Sequence, residues 1–239
     1  MNYNELNFNV SSRERELSMS AAFPVLMRKV YVWMTLALLL TGATAYGVAT
    51  SPGISAALYS NSVLLWGLVI AEFAIVFGVS AAINRLSLTT ATLLFVLYSV
   101  INGALFSSIF LVYTMSSIAS VFFITAGTFG VMALVGYTTK KDLSSMGKIL
   151  FMALIGIIIA TIVNIFLKSS GLETIVSYLG VLIFVGLTAY DTQKIKNMLL
   201  MAPDASESAQ KVALLGALTL YLDFINLFIY LLRIFGRRE

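Results

Sequence analysis

One aspartate in the middle of a long apolar stretch constrains this chain more than any other feature. The last segment, Lys211–Glu239, contains an apolar run from Val212 to Phe235. This run is long enough to cross a bilayer as a helix, since about 20 apolar residues span the hydrocarbon. Asp223 stands at its middle. A carboxylate at that depth costs at least ~2.5 kcal/mol, so it must face protein or water rather than lipid.

The polar residues of this run fall on one side of a helix. At about 100° per residue they form a stripe, whereas the leucines and isoleucines lie mostly on the other side. We therefore predict that this helix lies inside a bundle, with its stripe against other helices or a wet cavity. The stripe consists of Gly216, Thr219, Asp223, Asn226, Tyr230 and Arg233.

The composition indicates that the whole chain is a membrane protein. It is 59% hydrophobic and only 11% charged, which excludes a soluble globular class. The absence of cysteine excludes disulfides and thiolate chemistry, and the absence of histidine removes the commonest general base. We expect no cofactor. The net charge of +4 belongs to loops and ends, so no nucleic-acid partner is expected.

Seven apolar segments predict an all-α integral membrane protein with seven transmembrane helices, the last of them buried in the bundle. Residues 1–28 are polar and mixed in charge, and we expect a disordered arm there before a membrane domain over residues 29–239. Small residues such as Gly42 and Gly130 suit close helix contacts. The predicted spans are Val30–Thr50, Val63–Ile83, Leu88–Tyr113, Ile118–Tyr137, Ile149–Leu167, Thr174–Asp191 (with an amphipathic extension to Leu200) and Val212–Phe235.

The distribution of Lys and Arg predicts a cytoplasmic amino terminus. Eleven of these residues lie in the amino-terminal arm and the loops after the second, fourth and sixth spans. The loops after the other spans before the last contain only Lys168. A complete seventh crossing puts Arg233, Arg237 and Arg238 outside, against the positive-inside rule. Its apolar length favours crossing, and the alternative is a last segment that turns back.

Three carboxylates lie in or at the edge of predicted spans. Glu72, near the middle of the second span, is either a protonated carboxyl bonded to a neighbouring helix or a ligand on a cation path. Thr219 and Asn226 are further candidates for such a path. Asp191 ends the sixth span, where a simple pairing with Lys194 is the structural alternative to a functional role.

The two aspartates, Asp191 and Asp223, are expected to meet. A loop of about 20 residues joins their spans, which favours antiparallel neighbours. Two close carboxylates in a poorly solvated site cannot both ionise cheaply, so the pair is expected to share a proton. Such a contact is sensitive to pH without histidine. Tyr190, Tyr221 and Arg85 are candidates to tune it.

The motifs around these residues resemble the Bax inhibitor-1 family, the transmembrane Bax inhibitor motif proteins. The paired signature is GLTAYDTQKI at Gly186–Ile195 and GALTLYLDFINLFIYLLRIFG at Gly216–Gly236, and Arg85–Phe110 resembles the family's second-to-third-span region. The resemblance implies a central last helix surrounded by six others. It also implies a pH-sensitive calcium leak of the bacterial inner membrane, gated by two aspartates that match Asp191 and Asp223. These aspartates would also bind the permeating Ca²⁺ transiently.

The same resemblance implies a latch. In bacterial relatives an arginine near the end of the second span is thought to hold the gate, and Arg85 is the nearest match. The short tail resembles the bacterial branch rather than the eukaryotic relatives that protect against apoptosis.

Other function classes remain as alternatives. Intramembrane aspartyl proteases also use two aspartates, but they have Gly-x-Gly-Asp where this chain has Leu220–Asp223, and their Pro-Ala-Leu motif is absent. We therefore expect no enzyme. A regulatory protein that binds other membrane proteins, such as a membrane protease, and a calcium–proton antiporter both stay open. The expected partners are the lipid bilayer, protons and Ca²⁺. The regulatory alternative adds another membrane protein.

Overall fold

The computed structural model describes the backbone of residues 3–238 and the side chains of residues 21–238. Seven stretches of the described chain are long and apolar enough to cross a membrane, which confirms the predicted all-α, seven-span architecture. The helices are α1 (Tyr3–Ala49), α2 (Pro52–Ser60), α3 (Ser62–Ala82), α4 (Leu88–Phe106), α5 (Ile109–Val112), α6 (Met115–Thr138), α7 (Ser144–Leu167), α8 (Ser170–Leu200) and α9 (Glu207–Phe235).

Small polar residues begin several of the membrane-spanning helices. Ser87, Thr114 and Ser169 each accept a hydrogen bond from a backbone N–H in the first turn of α4, α6 and α8, and Asn61 does the same for α3. These caps satisfy backbone donors that a helix leaves free at its start. Inside the hydrocarbon the helix itself satisfies the backbone, which is why apolar stretches of this length fold as helices there.

Helix α9 lies at the centre of the bundle. It is more buried than any of the other spans in the described part of the chain. Helices α1, α4, α6 and α8 pack against it, whereas α3 packs mainly on α4, and α7 mainly on α8. The central last helix is therefore as predicted, but four helices rather than six surround it closely.

The ends of α9 lie at opposite ends of the bundle. At its start, Glu207 Oε1 accepts from the backbone N–H of Leu88 at 2.9 Å, beside the turn between α3 and α4. At its finish, the backbone N–H of Thr114 donates to the Arg237 carbonyl oxygen at 3.1 Å, beside the turn between α5 and α6. We call the end of the bundle where Glu207 meets Leu88 the basic end. The opposite end, where Arg237 meets Thr114, is the carboxyl-terminal end. Helix α9 thus runs the full length of the bundle instead of turning back, despite its terminal arginines.

The start of α1 differs from what the sequence predicts. A disordered arm was expected over residues 1–28, but residues 3–28 are helical and belong to α1. The division of the chain into an arm and a membrane domain at residue 28 stays a prediction. The first apolar stretch includes residues 21–29, which the predicted span from Val30 leaves out.

Gly42 and Gly130, two of the small residues expected at close helix contacts, do not lie at such contacts. A side chain added at Gly42 or Gly130 would meet nothing within 4 Å. The close approach occurs instead at Gly136 of α6, which lies against the backbone of Ala189 on α8, and at Gly103 of α4, which lies against Thr41 on α1. Both glycines are buried.

Candidate functional site

The structure brings Asp191 of α8 and Asp223 of α9 together. The helices are antiparallel neighbours that pack on each other more extensively than any other pair in the described chain. The two carboxyl groups are within hydrogen-bonding contact, and their residues are only 8% and 5% exposed. Asp191 lies nine residues before α8 ends at the basic end. The pair therefore lies inside the bundle, in the half nearer the basic end.

This contact has a chemical requirement. Ionised carboxylates only accept hydrogen bonds, so a bond between two carboxyl groups requires a proton on one of them. Moreover, Oδ2 of Asp223 is buried and has no hydrogen-bond partner among the described residues. A buried acceptor without a partner is costly. The site therefore favours a bound proton or a cation.

A cavity of about 580 Å³ opens on the two aspartates between α7, α8 and α9. Three further residues of the polar stripe, Thr219, Asn226 and Tyr230, line it together with Asp223. Thr219 and Asn226 each bond a backbone carbonyl one turn earlier, and their remaining polar capacity is available to the cavity. The predicted stripe thus faces a cavity rather than lipid.

Two lysines line the part of the cavity nearer the basic end. Lys194 acts electrostatically on Asp191, and its ammonium group lies 5.9 Å from the centre of the Tyr190 ring. Lys148 of α7 lines the other wall. Sequence reasoning had not connected Lys148 with the aspartates, since nothing in the spacing of α7 shows which face meets α8. No ion pair within 4 Å joins Lys194 to Asp191.

The ring of Tyr190 requires a glycine opposite it. A side chain carbon added at Gly147 would lie 2.5 Å from the ring, so only glycine leaves it room. Two residues beyond Asp191, the side chain of Gln193 accepts from Leu143 N–H at 2.9 Å and donates to the Lys141 carbonyl at 2.8 Å. These bonds fasten the loop between α6 and α7 to α8, close to the aspartates.

A stacked aromatic pair lies beyond the aspartates, on the side of the carboxyl-terminal end. The rings of Phe184 on α8 and Tyr230 on α9 are 5.9 Å apart and nearly parallel. Tyr230 occupies the space that a side chain would need at Gly180. About one turn further on, Ser177 and Arg233 line a separate cavity of about 260 Å³. The stack therefore lies between two cavities along the polar stripe.

Three residues that the sequence associated with this site lie elsewhere. Arg85 is exposed in the turn between α3 and α4 and makes no ion pair among the described residues, so the structure does not bring the candidate latch to the aspartates. Glu72 does not line the aspartate cavity; it lies between α3 and α4 near Asn102. Tyr221 points away from the aspartates and toward α1, and its hydroxyl oxygen is 2.7 Å from Thr41 Oγ1.

These features define a multi-pass helical membrane protein with a central polar helix and a buried pair of acids. A family model described as "Inhibitor of apoptosis-promoting Bax1" matches residues 24–239. The chain therefore belongs to the Bax inhibitor-1 family, as its motifs predicted.

Bacterial relatives match almost the whole chain. The inner membrane protein YbhL of Escherichia coli (strain K12) is 55% identical over 221 residues, covering 92% of this chain and 94% of the relative. An uncharacterized protein of Borreliella burgdorferi is 48% identical, covering 89% of this chain and 92% of the relative. Protein RP147 of Rickettsia prowazekii, also uncharacterized, is 45% identical and covers 89% of each chain. These similarities support a place in the bacterial inner membrane.

Proposed function

We propose that this protein is a pH-sensitive calcium leak of the bacterial inner membrane, gated by Asp191 and Asp223. One observation carries the proposal: two carboxyl groups from different helices are in hydrogen-bonding contact at a cavity inside the bundle. The amino terminus is placed in the cytoplasm on the basis of the Lys and Arg distribution. On this orientation the basic end and its cavity face the cytoplasm.

A single proton is the closing element of this gate. With one proton held, a charge-assisted bond between carboxyl and carboxylate joins α8 to α9. When that proton leaves, two like charges remain close together. At a separation of ~4 Å and an effective dielectric of ~20, they repel by ~4 kcal/mol. That is enough to change the balance between a closed and an open contact of two helices.

The separated carboxylates then offer oxygen ligands to Ca²⁺. This ion generally takes six to eight oxygens, so two aspartates need help from water or from neighbouring oxygens. Thr219 and Asn226 line the same cavity and supply such oxygens. No third acidic or other metal-ligating side chain joins the pair among the described residues. A site with so few fixed ligands suits brief binding during passage rather than storage.

The sign of the pH effect follows from the proton. Rising pH removes the shared proton, so calcium flux is expected to increase with pH. Calcium and protons compete for the same oxygens, so calcium is expected to shift the opening to lower pH.

The test is calcium flux into liposomes that contain the purified protein, measured against pH. The variants are Asp191→Asn, Asp223→Asn and the double variant, with Asp142→Asn as the matched control because Asp142 is exposed in a loop. We expect a pH-dependent flux in the parent and the control, and an altered pH profile in the three gate variants. Four folded proteins with superimposable profiles, namely the parent and these three variants, would refute the gate.

An imposed proton gradient distinguishes a leak from antiport in the same liposomes. A leak follows the calcium gradient alone, whereas an antiporter drives calcium uphill when protons flow the other way. Uphill movement that disappears with the proton gradient would favour antiport over the leak.

A further inference from the structure

A second buried acid lies apart from the aspartates, at the contact of α3 with α4. Glu72 is near the middle of α3, and its Oε1 atom is buried without a hydrogen-bond partner among the described residues. The same is true of Oδ1 of Asn102 on α4, a residue only 4% exposed. The two side chains lie within hydrogen-bonding reach of each other. Each of these neighbouring side chains therefore has one buried oxygen without a partner.

The remaining contacts of Asn102 fix its orientation. Its Nδ2 group donates to the hydroxyl oxygen of Tyr98 at 3.1 Å. The amide nitrogen is thus engaged on one side, which leaves Oδ1 as the atom that lacks a donor. The ring of Tyr98 packs edge-on against Tyr221 of α9 at 5.8 Å between centroids. Tyr221 is in turn bonded to Thr41 of α1.

No lysine or arginine among the described residues balances a charge at Glu72. The titratable groups that face it are the phenols of Tyr98 on α4 and Tyr221 on α9, and no lysine or arginine makes an ion pair with it among the described residues. An isolated carboxylate at this depth costs at least ~2.5 kcal/mol. A protonated carboxyl has one O–H donor, which is what the Asn102 oxygen lacks. One proton thus satisfies both unpaired atoms.

We propose that Glu72 is an intramembrane proton-binding site, in which a neutral carboxyl donates its proton to Oδ1 of Asn102. A metal ion fits this site less well, because one carboxylate and one amide oxygen fall far short of the ligands that hard cations require. The site is independent of the aspartate pair: it lies on a different helix and does not open on their cavity. The site connects the peripheral helix α3 to Tyr221 of α9 through Asn102 and Tyr98 of α4.

Glu72 is itself only partly buried on the peripheral helix α3, so its carboxyl group is accessible from the lipid. Ile70 and Phe73 of α3 are 65% and 61% exposed, and in a membrane that exposure is to hydrocarbon. A hydrophobic reagent dissolved in the bilayer can therefore approach Glu72. The aspartates lie instead in a cavity that also contains lysines.

The test is labelling by dicyclohexylcarbodiimide, a membrane-soluble reagent specific for protonated carboxyls. The acid transfers its proton to a carbodiimide nitrogen, and its oxygen adds to the central carbon to form an O-acylisourea. This product rearranges to a stable N-acylurea without losing any group, so the whole reagent mass stays on the peptide. Mass spectrometry of α3 fragments locates the adduct.

We expect an adduct on Glu72 near neutral pH, its loss in Glu72→Gln, and its progressive loss as pH rises. Sodium and calcium salts should leave the labelling unchanged. The adduct should persist in the Asp191→Asn/Asp223→Asn double variant, so that this result is separate from the fate of the proposed gate. Protection by sodium or calcium would mean a cation site and would overturn the proposal. An unlabelled Glu72 in the folded parent would overturn it if the stability measurement below also shows equal losses for the two variants.

A stability measurement covers the case in which labelling is blocked for steric reasons. The amide of Glu72→Gln can still donate to Asn102 Oδ1, whereas Glu72→Leu cannot donate. We expect the glutamine variant to unfold at the temperature of the parent near neutral pH, and the leucine variant to unfold at a lower temperature. Equal losses in both variants would show that the carboxylate form is required and would refute a neutral acid.

Discussion

The contact of α6 with α8 at Gly136 provides a sharp test of how the aspartates are positioned. A side chain carbon added at Gly136 would lie 2.8 and 2.9 Å from the carbonyl carbon and Cα of Ala189. Non-bonded carbons prefer roughly 3.5–4.0 Å, so Gly136→Ala must move the helices apart by roughly 0.6–1.2 Å. The opposing atoms are backbone and cannot turn away. Ala189 lies two residues before Asp191, so the displacement reaches the acid pair.

The magnitude is estimated by comparison with a glycine that has room. Overpacking in a well-packed interior costs roughly 1–3 kcal/mol. Replacing glycine by alanine in a helix gains about 1 kcal/mol by itself. Gly130→Ala, on the same helix, has that gain without a clash, because nothing lies within 4 Å of its added carbon. The difference between the two variants therefore isolates the clash.

The assay is thermal unfolding of both variants in the same detergent, followed by calcium flux in liposomes. A difference of roughly 1–3 kcal/mol corresponds to roughly 2–12 °C in a protein of this size, with Gly136→Ala the less stable. We also expect an altered pH profile of flux for Gly136→Ala and an unchanged profile for Gly130→Ala. Equal unfolding temperatures would refute the tight contact, and with it the argument that α6 positions Asp191.

Three other perturbations test separate parts of the structure. Gln193→Leu removes two hydrogen bonds to the loop 139–143 and should lower stability by roughly 1–3 kcal/mol, with faster hydrogen exchange in that loop. Thr41→Val removes the bonds to Tyr221 and to a carbonyl of α4 and should cost roughly 1–2 kcal/mol in thermal unfolding, with little change in shape. Because the chain has no cysteine, single cysteines at Arg238 and Asp204 should react with impermeant reagents from opposite sides of the membrane. Labelling of both from one side would contradict the complete last crossing.

The stripe on α9 could be predicted from the sequence because it depends on one helix alone. The helical period places Thr219, Asp223, Asn226 and Tyr230 on one face, and all four line the same cavity. The meeting of α8 with α9 also followed from the short connection between them. The first prediction uses only the helical period, and the second uses only the length of one connection. Both quantities can be obtained directly from the sequence.

Contacts between helices far apart in the chain could not be predicted in this way. A glycine pattern shows where a helix can be approached but not which neighbour approaches it, so Gly130 was favoured and Gly136 was not. Glu72 was recognised as unusual, yet its partner Asn102 lies 30 residues away on α4, and no periodicity connects them. Arg85 was matched by its place in the sequence, whereas its exposure depends on how the turn is arranged.

The aromatic stack of Phe184 and Tyr230 has a consequence for any ion that reaches the aspartates. The stack lines the aspartate cavity on the side of the cavity that Arg233 lines, so in the proposed leak the acid pair would open only the first part of the path. In the proposed leak, calcium in that cavity would equilibrate with the basic end of the molecule even when no ion crosses. The acids would then govern occupancy of the cavity, and passage across the membrane would require the two rings to separate as well.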